Sequence, residues 1–193
     1  MSVPIGCTCG AVRGELDPGA VYAPVVCYCR DCRAFARVLG RPDILDAAGG
    51  TDIVTMRPSG LRLLKGRDRV ACLSLSPNGP LRWHTACCNT PIGNTARNPA
   101  VPYVGIPVAG LGVGEVDIER VFGSRPMVVH AGSATSQVRR TPLRTGIGVA
   151  RIACGVLMAK LASGRAHPFF KDGHPLAEPR VLTLEERTAA SRD

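Results

Sequence analysis

The sequence predicts a mainly β domain followed by a C-terminal helical extension. Two observations carry this. From Met1 to about Asn98, short apolar pieces are broken at close intervals by Gly, Pro, Asp and Asn, the punctuation of short strands joined by turns. From about residue 142 to 162, the apolar residues instead follow a helical period. The expected division is residues 1–98 as one domain and 99–193 as a continuation of the β fold plus the helical tail. With 193 residues and 45% hydrophobic composition, the chain is long enough to bury a real core.

The expected strands are Ala20 to Val26, Thr51 to Met56, Leu61 to Leu64, Val70 to Leu75 and Leu81 to His84. Between the first two, Arg30 to Leu39 lacks Gly and Pro and predicts a short helix stopping at Gly40, before Pro42. Pro99 to Gly114 is expected to be strand plus loop, and Glu115 to Val121 another short element. In the long helix, Ile147, Ile152, Cys154, Val156, Leu157, Met158 and Leu161 form a broad apolar surface. Arg144, Gly148, Arg151 and Gly155 form a narrow stripe. The broad surface is expected to pack into a core or against a second copy as a homodimer, in preference to a membrane surface. Near the end, Thr183 followed by Glu186 has the pattern of a capping box, predicting a terminal helix.

The net charge is +9, with 21 Arg and 3 Lys. No acid lies between Glu119 and Asp172, a stretch with nine cations. Such a block suits nucleic acid or another anionic surface as well as plain solvent. There is no run of eighteen apolar residues and no basic, apolar leader at the N-terminus, so the expectation is a cytoplasmic protein without a membrane span.

Nine cysteines on a secreted chain would suggest disulfides, but here they cluster tightly: Cys7-x-Cys9, Cys27-x-Cys29-x-x-Cys32, and adjacent Cys87 and Cys88. Zinc takes four soft or borderline ligands at tetrahedral directions, usually two from each of two tight turns. These cysteines are therefore expected to hold one or two zinc ions. Cys72 and Cys154 each stand alone among apolar neighbours and are taken as small hydrophobes.

Cys7-Thr8-Cys9-Gly10, Cys27-Tyr28-Cys29-Arg30-Asp31-Cys32 and Cys88-Asn89-Thr90-Pro91 together resemble the glutathione-dependent formaldehyde-activating enzyme family, which includes the centromere protein V group. The resemblance covers roughly residues 5 to 95. It implies an Mss4-like arrangement of packed β-sheets, a structural zinc closed by the first pair and a last Cys-x-x-Cys, and a second zinc on the middle three cysteines. Carried over, Cys7, Cys9 and Cys88 belong to the first site, and Cys27, Cys29 and Cys32 to the second. The family's last motif, Phe-Cys-x-x-Cys-Gly-Thr, is incomplete here, because its first cysteine position falls on Thr85. Neighbouring cysteines reach one ion with difficulty, so His84 competes with Cys87 for the fourth place. A second register pairs His84 with Cys87 at a spacing of three and puts Cys88 in the glycine position. The Thr-Pro match favours the first register and the ligand spacing the second.

Three cysteines without an obvious fourth ligand fit an open zinc, the kind that binds substrate. An open zinc can take a thiol as thiolate beside an aldehyde. The resemblance accordingly implies a carbon–sulfur lyase acting on an adduct such as S-hydroxymethylglutathione, with glutathione as the small-molecule partner. Arg30 and Arg33, flanking Cys32, are candidates to hold its carboxylates. No general base stands out, since His130, His167 and His174 lie in the unmatched tail. The alternative is a noncatalytic zinc module for protein or nucleic acid. Aromatic content of 4% and the lack of any finger spacing disfavour sequence-specific nucleic-acid recognition.

Overall fold

The computed structural model describes residues 2–111, 118–122, 125–161 and 167–192. Residues 112–114 of the strand and loop expected at Pro99 to Gly114, residues 115–117 of the short element expected at Glu115 to Val121, and Ala162 at the end of the expected long helix lie outside the described residues. In chain order the strands are β1 (Val3–Gly6), β2 (Arg13–Leu16), β3 (Val21–Cys27), β4 (Thr51–Met56), β5 (Leu61–Lys65), β6 (Val70–Ser74), β7 (Leu81–Thr85), β8 (Pro91–Thr95), β9 (Val104–Pro107), β10 (Met127–Val129), β11 (Phe170–Lys171), β12 (His174–Pro175) and β13 (Pro179–Val181). The helices are α1 (Arg30–Val38), α2 (Ile118–Phe122), α3 (Pro142–Leu161) and α4 (Leu184–Ser191). The fold is mainly β with helices around it.

One sheet runs in the order β10-β3-β4-β9-β8-β7-β6-β13, and a smaller one in the order β1-β2-β5. In the larger sheet β10 pairs with β3 and β13 with β6 in parallel; the other neighbours are antiparallel. Strands β9, β10 and β13 all come from beyond residue 98, so the second half continues the same sheet. Ile5, Leu16, Leu61 and Leu63 of the small sheet share one core with Val54, Met56, Trp83, Ile92 and Ile106 of the large one. Phe169 closes that core, its ring stacked on Trp83 at 4.9 Å between centroids. It fills the space where a Cβ on Gly93 would stand, 2.6 Å from its ring, which is why position 93 carries no side chain.

Strand alternation sorts the two faces of β7. Trp83 points into the core, where its Nε1 donates to Thr95 Oγ1 at 3.0 Å. Arg82 and His84 occupy the opposite face, under α1: the Arg82 guanidinium lies 5.3 Å from the centroid of Phe35 and the His84 ring 6.5 Å from it. Helix α1 begins at its N-cap Cys29, whose sulfur accepts from the Cys32 N–H, and ends at Gly40, where a φ of +65° suits glycine. It buries Ala34, Phe35 and Leu39 against Leu73, Leu75, Leu182 and Ala190. Helix α4 starts with the expected Thr183/Glu186 capping box, and Arg37 ties its end down by donating to the carbonyls of Ala190 and Arg192.

Helix α3 does not bury its broad apolar surface in the chain's own core, one of the two packings expected. Its narrow stripe faces the protein: Gly148 lies against Met127 and Gly155 against the Tyr22 ring, so close that a Cβ would come within 2.3 and 2.4 Å respectively. Only residues without side chains let the helix approach β3 and β10 this closely. The broad apolar surface is therefore exposed, with Leu143 at 79% and Leu161 at 75%. Although no unbroken apolar run of eighteen residues exists, α3 is long and apolar enough to cross a membrane by length and composition alone.

Replacing Phe169 with Ala removes the ring that joins the C-terminal segment to the core. It is expected to destabilise the fold by about 3–5 kcal/mol in urea denaturation, as for other large-to-small core changes. A loss below about 1 kcal/mol would show that this segment is not docked as described.

Candidate metal centres

Two hairpin tips build the first centre. The turn after β1 is closed by Gly10 N–H to Cys7 O at 2.9 Å and Cys7 N–H to Val12 O at 3.1 Å. The turn between β7 and β8 is closed by Asn89 N–H to Thr85 O at 2.9 Å, with Asn89 left-handed at φ +53°. Asn tolerates that conformation better than most residues with a side chain, so it can stand where the resembled motif has glycine. The tips meet through Thr8 N–H donating to Thr90 Oγ1 at 3.2 Å. As a result, the sulfurs of Cys7, Cys9, Cys87 and Cys88 all lie within 4.8 Å of one another. Individual separations are 3.4 Å for Cys7–Cys9, 3.3 Å for Cys9–Cys87, and 3.8 Å for both Cys7–Cys87 and Cys87–Cys88. Four sulfurs about 2.3 Å from a tetrahedral ion would stand roughly 3.8 Å apart, so the cluster is the right size for one.

The surroundings favour thiolates unevenly. Burial works against ionisation of Cys88, but hydroxyl donors on Thr8, Thr85 and Thr90 outweigh it and bring its thiol down to about 4. Burial likewise opposes ionisation of Cys7, and the Val12 N–H, 3.2 Å from its sulfur, turns the balance the other way. Cys9 receives help from the Ala11 N–H, yet the sulfurs of Cys87 and Cys7 push it up to about 12. A divalent cation bound among the four sulfurs would relieve that conflict.

The second centre forms where β3 turns into α1. Cys27 ends the strand, Cys29 is the N-cap and Cys32 sits in the first helical turn, so one local change of direction gathers three sulfurs within 4.8 Å. Helix N-terminal N–H groups favour negative charge there. Hydrogen bonds from Cys27 and Cys32 hold Cys29 far below the usual thiol range, assisted by the positive charge of Arg82. Cys27 moves far upward in return, chiefly through Cys29. No fourth Cys, His or acid joins this group among the described residues. Instead, the buried Arg82 brings Nη1 to 4.0 Å from Cys32 Sγ and 3.4 Å from Asn94 Oδ1. Its Nε is buried without a partner. Tyr103 lies in the field of the same sulfurs: burial first, then Cys27 and Cys32, push its hydroxyl up to about 12, so it stays a proton donor.

Most of the expected ligands come together, with one substitution. Cys87 and Cys88 both enter the first cluster, because the tight turn aims successive side chains at one point; the expected difficulty for adjacent cysteines does not arise. His84 is left out. It lies one residue from Thr85 and so faces α1, lining a groove of about 460 Å³ with Val38, Leu39 and Arg180. Thr85 faces the cluster, its hydroxyl 3.4 Å from Cys88 Sγ. Of the two arginines expected to meet an anionic thiol, Arg30 is exposed on the first turn of α1. Arg33 is buried, and its Nη1 donates to the carbonyls of Tyr28 at 3.0 Å and Ser133 at 2.6 Å, so it fastens the chain and does not present itself to a ligand. His167 is half-buried, and desolvation lowers its pKa to about 4. Arg82 and Tyr103 escaped sequence reasoning. The only signal for Arg82 was a charge inside the apolar strand Leu81 to His84; Tyr103 gave none.

Residues 1–180 match a family of unknown function, DUF6151. The chain belongs to that family. Both cysteine clusters of this DUF6151 protein lie within the matched residues, as do Arg82 and Tyr103. No curated protein matches it. The crystal structure of a Rhodobacter sphaeroides protein, a structural-genomics target, is similar at 22% identity and a TM-score of 0.42. It covers 64% of this chain and 97% of its own.

Metal-free protein offers a direct check on the first cluster. Because a thiolate is the reactive form, Cys88 should alkylate at about pH 6, whereas Cys9 should need alkaline solution. Thr90→Val removes one donor to Cys88 and should move its titration upward, as mapped by peptide mass spectrometry. Equal titration of the two cysteines would contradict this environment.

Proposed function

We propose that this protein holds two zinc ions, one closed by four cysteines and structural, the other open on Cys27, Cys29 and Cys32 and used to bind a thiol. The reaction that fits is carbon–sulfur lyase chemistry on a thiol/aldehyde adduct such as S-hydroxymethylglutathione, as the resemblance to the glutathione-dependent formaldehyde-activating enzymes implies. The Mss4-like packing of that family fits a mainly β chain with cysteine clusters at its turns, and reduced cysteines of this kind fit the cytoplasm. The observation that carries the proposal is the contrast between the centres: four sulfurs in one, and in the other three sulfurs beside a cationic arginine with a free donor.

A zinc ion bound there would supply Lewis acidity and lower the pKa of an incoming thiol. The chain's own residues account for the rest. Three thiolates leave a divalent cation with one net negative charge, and the guanidinium of Arg82 offsets it, so a fourth anionic sulfur can approach. Cleavage breaks the carbon–sulfur bond; its electron pair returns to sulfur, which leaves as thiolate, while the hydroxyl oxygen of the adduct gives up its proton to solvent water and becomes the aldehyde carbonyl. The protonated hydroxyl of Tyr103 is the donor available to that oxygen. Val25, Ile53 and Met127 pack around the sulfurs and keep the surroundings apolar, which strengthens both interactions.

Cobalt-loaded protein tests this through its absorption spectrum. Glutathione should change the bands of the three-cysteine site, and S-methylglutathione, which cannot become a thiolate, should not. Arg82→Met should weaken glutathione binding by roughly tenfold or more, the effect of a hydrogen bond to a charged group. Protein with both sites loaded whose spectrum ignores glutathione would overturn the open-site proposal and leave a zinc module without this chemistry.

A further inference from the structure

Helix α3 has an outward face with no partner. Leu143, Ile147, Val149, Leu157, Met158 and Leu161 are between 52% and 79% exposed, and only 6% of the helix's most apolar window is buried. Gly148 and Gly155 hold the opposite face against Met127 and Tyr22, so the helix cannot turn its apolar side inward without losing that fit. A contiguous apolar surface of this size on a folded protein marks an interaction site.

Charge selects the occupant. Arg144 and Arg151 lie on the helix along one flank of the apolar face, Lys160 along the other, and Arg139 and Arg140 just before its start; all are exposed. No acid occurs from residue 120 to 171, and Glu119 is already paired with Arg125 at 3.0 Å. A second copy on this face would bring two sets of cations together with no carboxylates of this segment between them. An anionic bilayer surface answers both features at once: the leucines enter the boundary between headgroups and acyl chains, while the long Arg and Lys side chains reach back to the phosphates.

We propose that α3 lies flat on anionic membranes and docks the protein there, with the sheet side of the helix kept against β3 and β10. The inner side of the helix adjoins the three-cysteine centre through Ile152, whereas the leucines offered to the membrane are exposed on its outer side.

The test is flotation of the purified full chain with vesicles of phosphatidylcholine alone or mixed with phosphatidylserine. Binding should require phosphatidylserine and weaken with added salt. Arg144→Gln and Arg151→Gln should each lower affinity by about fivefold, the worth of one cation near such a surface. The pair Leu143→Glu and Leu157→Glu, both at exposed positions, should abolish binding while leaving the thermal unfolding midpoint and bound zinc unchanged. Failure to float with anionic vesicles, equal binding to both vesicle types, or a stable dimer in light scattering that this Leu→Glu pair dissociates would overturn the proposal.

Discussion

Four cysteine sulfurs held within 4.8 Å of one another are the constraint on which the rest of this structure turns. As thiolates they repel; as thiols they compete for a few protons, which is why Cys88 is drawn down and Cys9 pushed up. A bound cation would remove the conflict, and two hairpin tips 80 residues apart in sequence must meet to make a place for one. The Thr8–Thr90 contact and the left-handed Asn89 serve that meeting. A metal there would fasten the small sheet to the large one at the point where they come closest to solvent, because Cys9 and Cys87 are exposed while Cys7 adjoins the core.

The second centre has a different logic. All its sulfurs come from six consecutive residues at a strand-to-helix corner, so it needs no distant loop to form. What it does draw from far away is charge: Arg82 of β7, 50 residues from Cys32 in sequence, arrives through the order of strands in the large sheet. The same sheet therefore carries the four-cysteine cluster at a hairpin tip and brings Arg82 to the three-cysteine one.

Much of this was legible in the sequence, and the failures have physical causes. The strand at Thr51–Met56 matched residue for residue, because β-branched and apolar residues bounded by Gly and Arg-Pro leave few alternatives. The helix after Cys29 and the Thr183/Glu186 cap followed from local rules and were found. For α3 the core alternative fails, since a periodic pattern shows that two faces differ and not which one touches the rest of the chain; close approach favoured the glycines over the leucines. His84 was weighed as a ligand by spacing along the chain, whereas in a strand parity decides, and it faces α1. Arg82 reaches the three-cysteine cluster through strand order, which no local pattern encodes.

The claim that two separable metal sites exist is tested most directly by zinc per chain, measured on the intact protein and on a variant with Cys27, Cys29 and Cys32 all changed to Ser. The account predicts two ions falling to one, with the four-cysteine site still filled. A single ion unaffected by the change, or no ion in either protein, would contradict it.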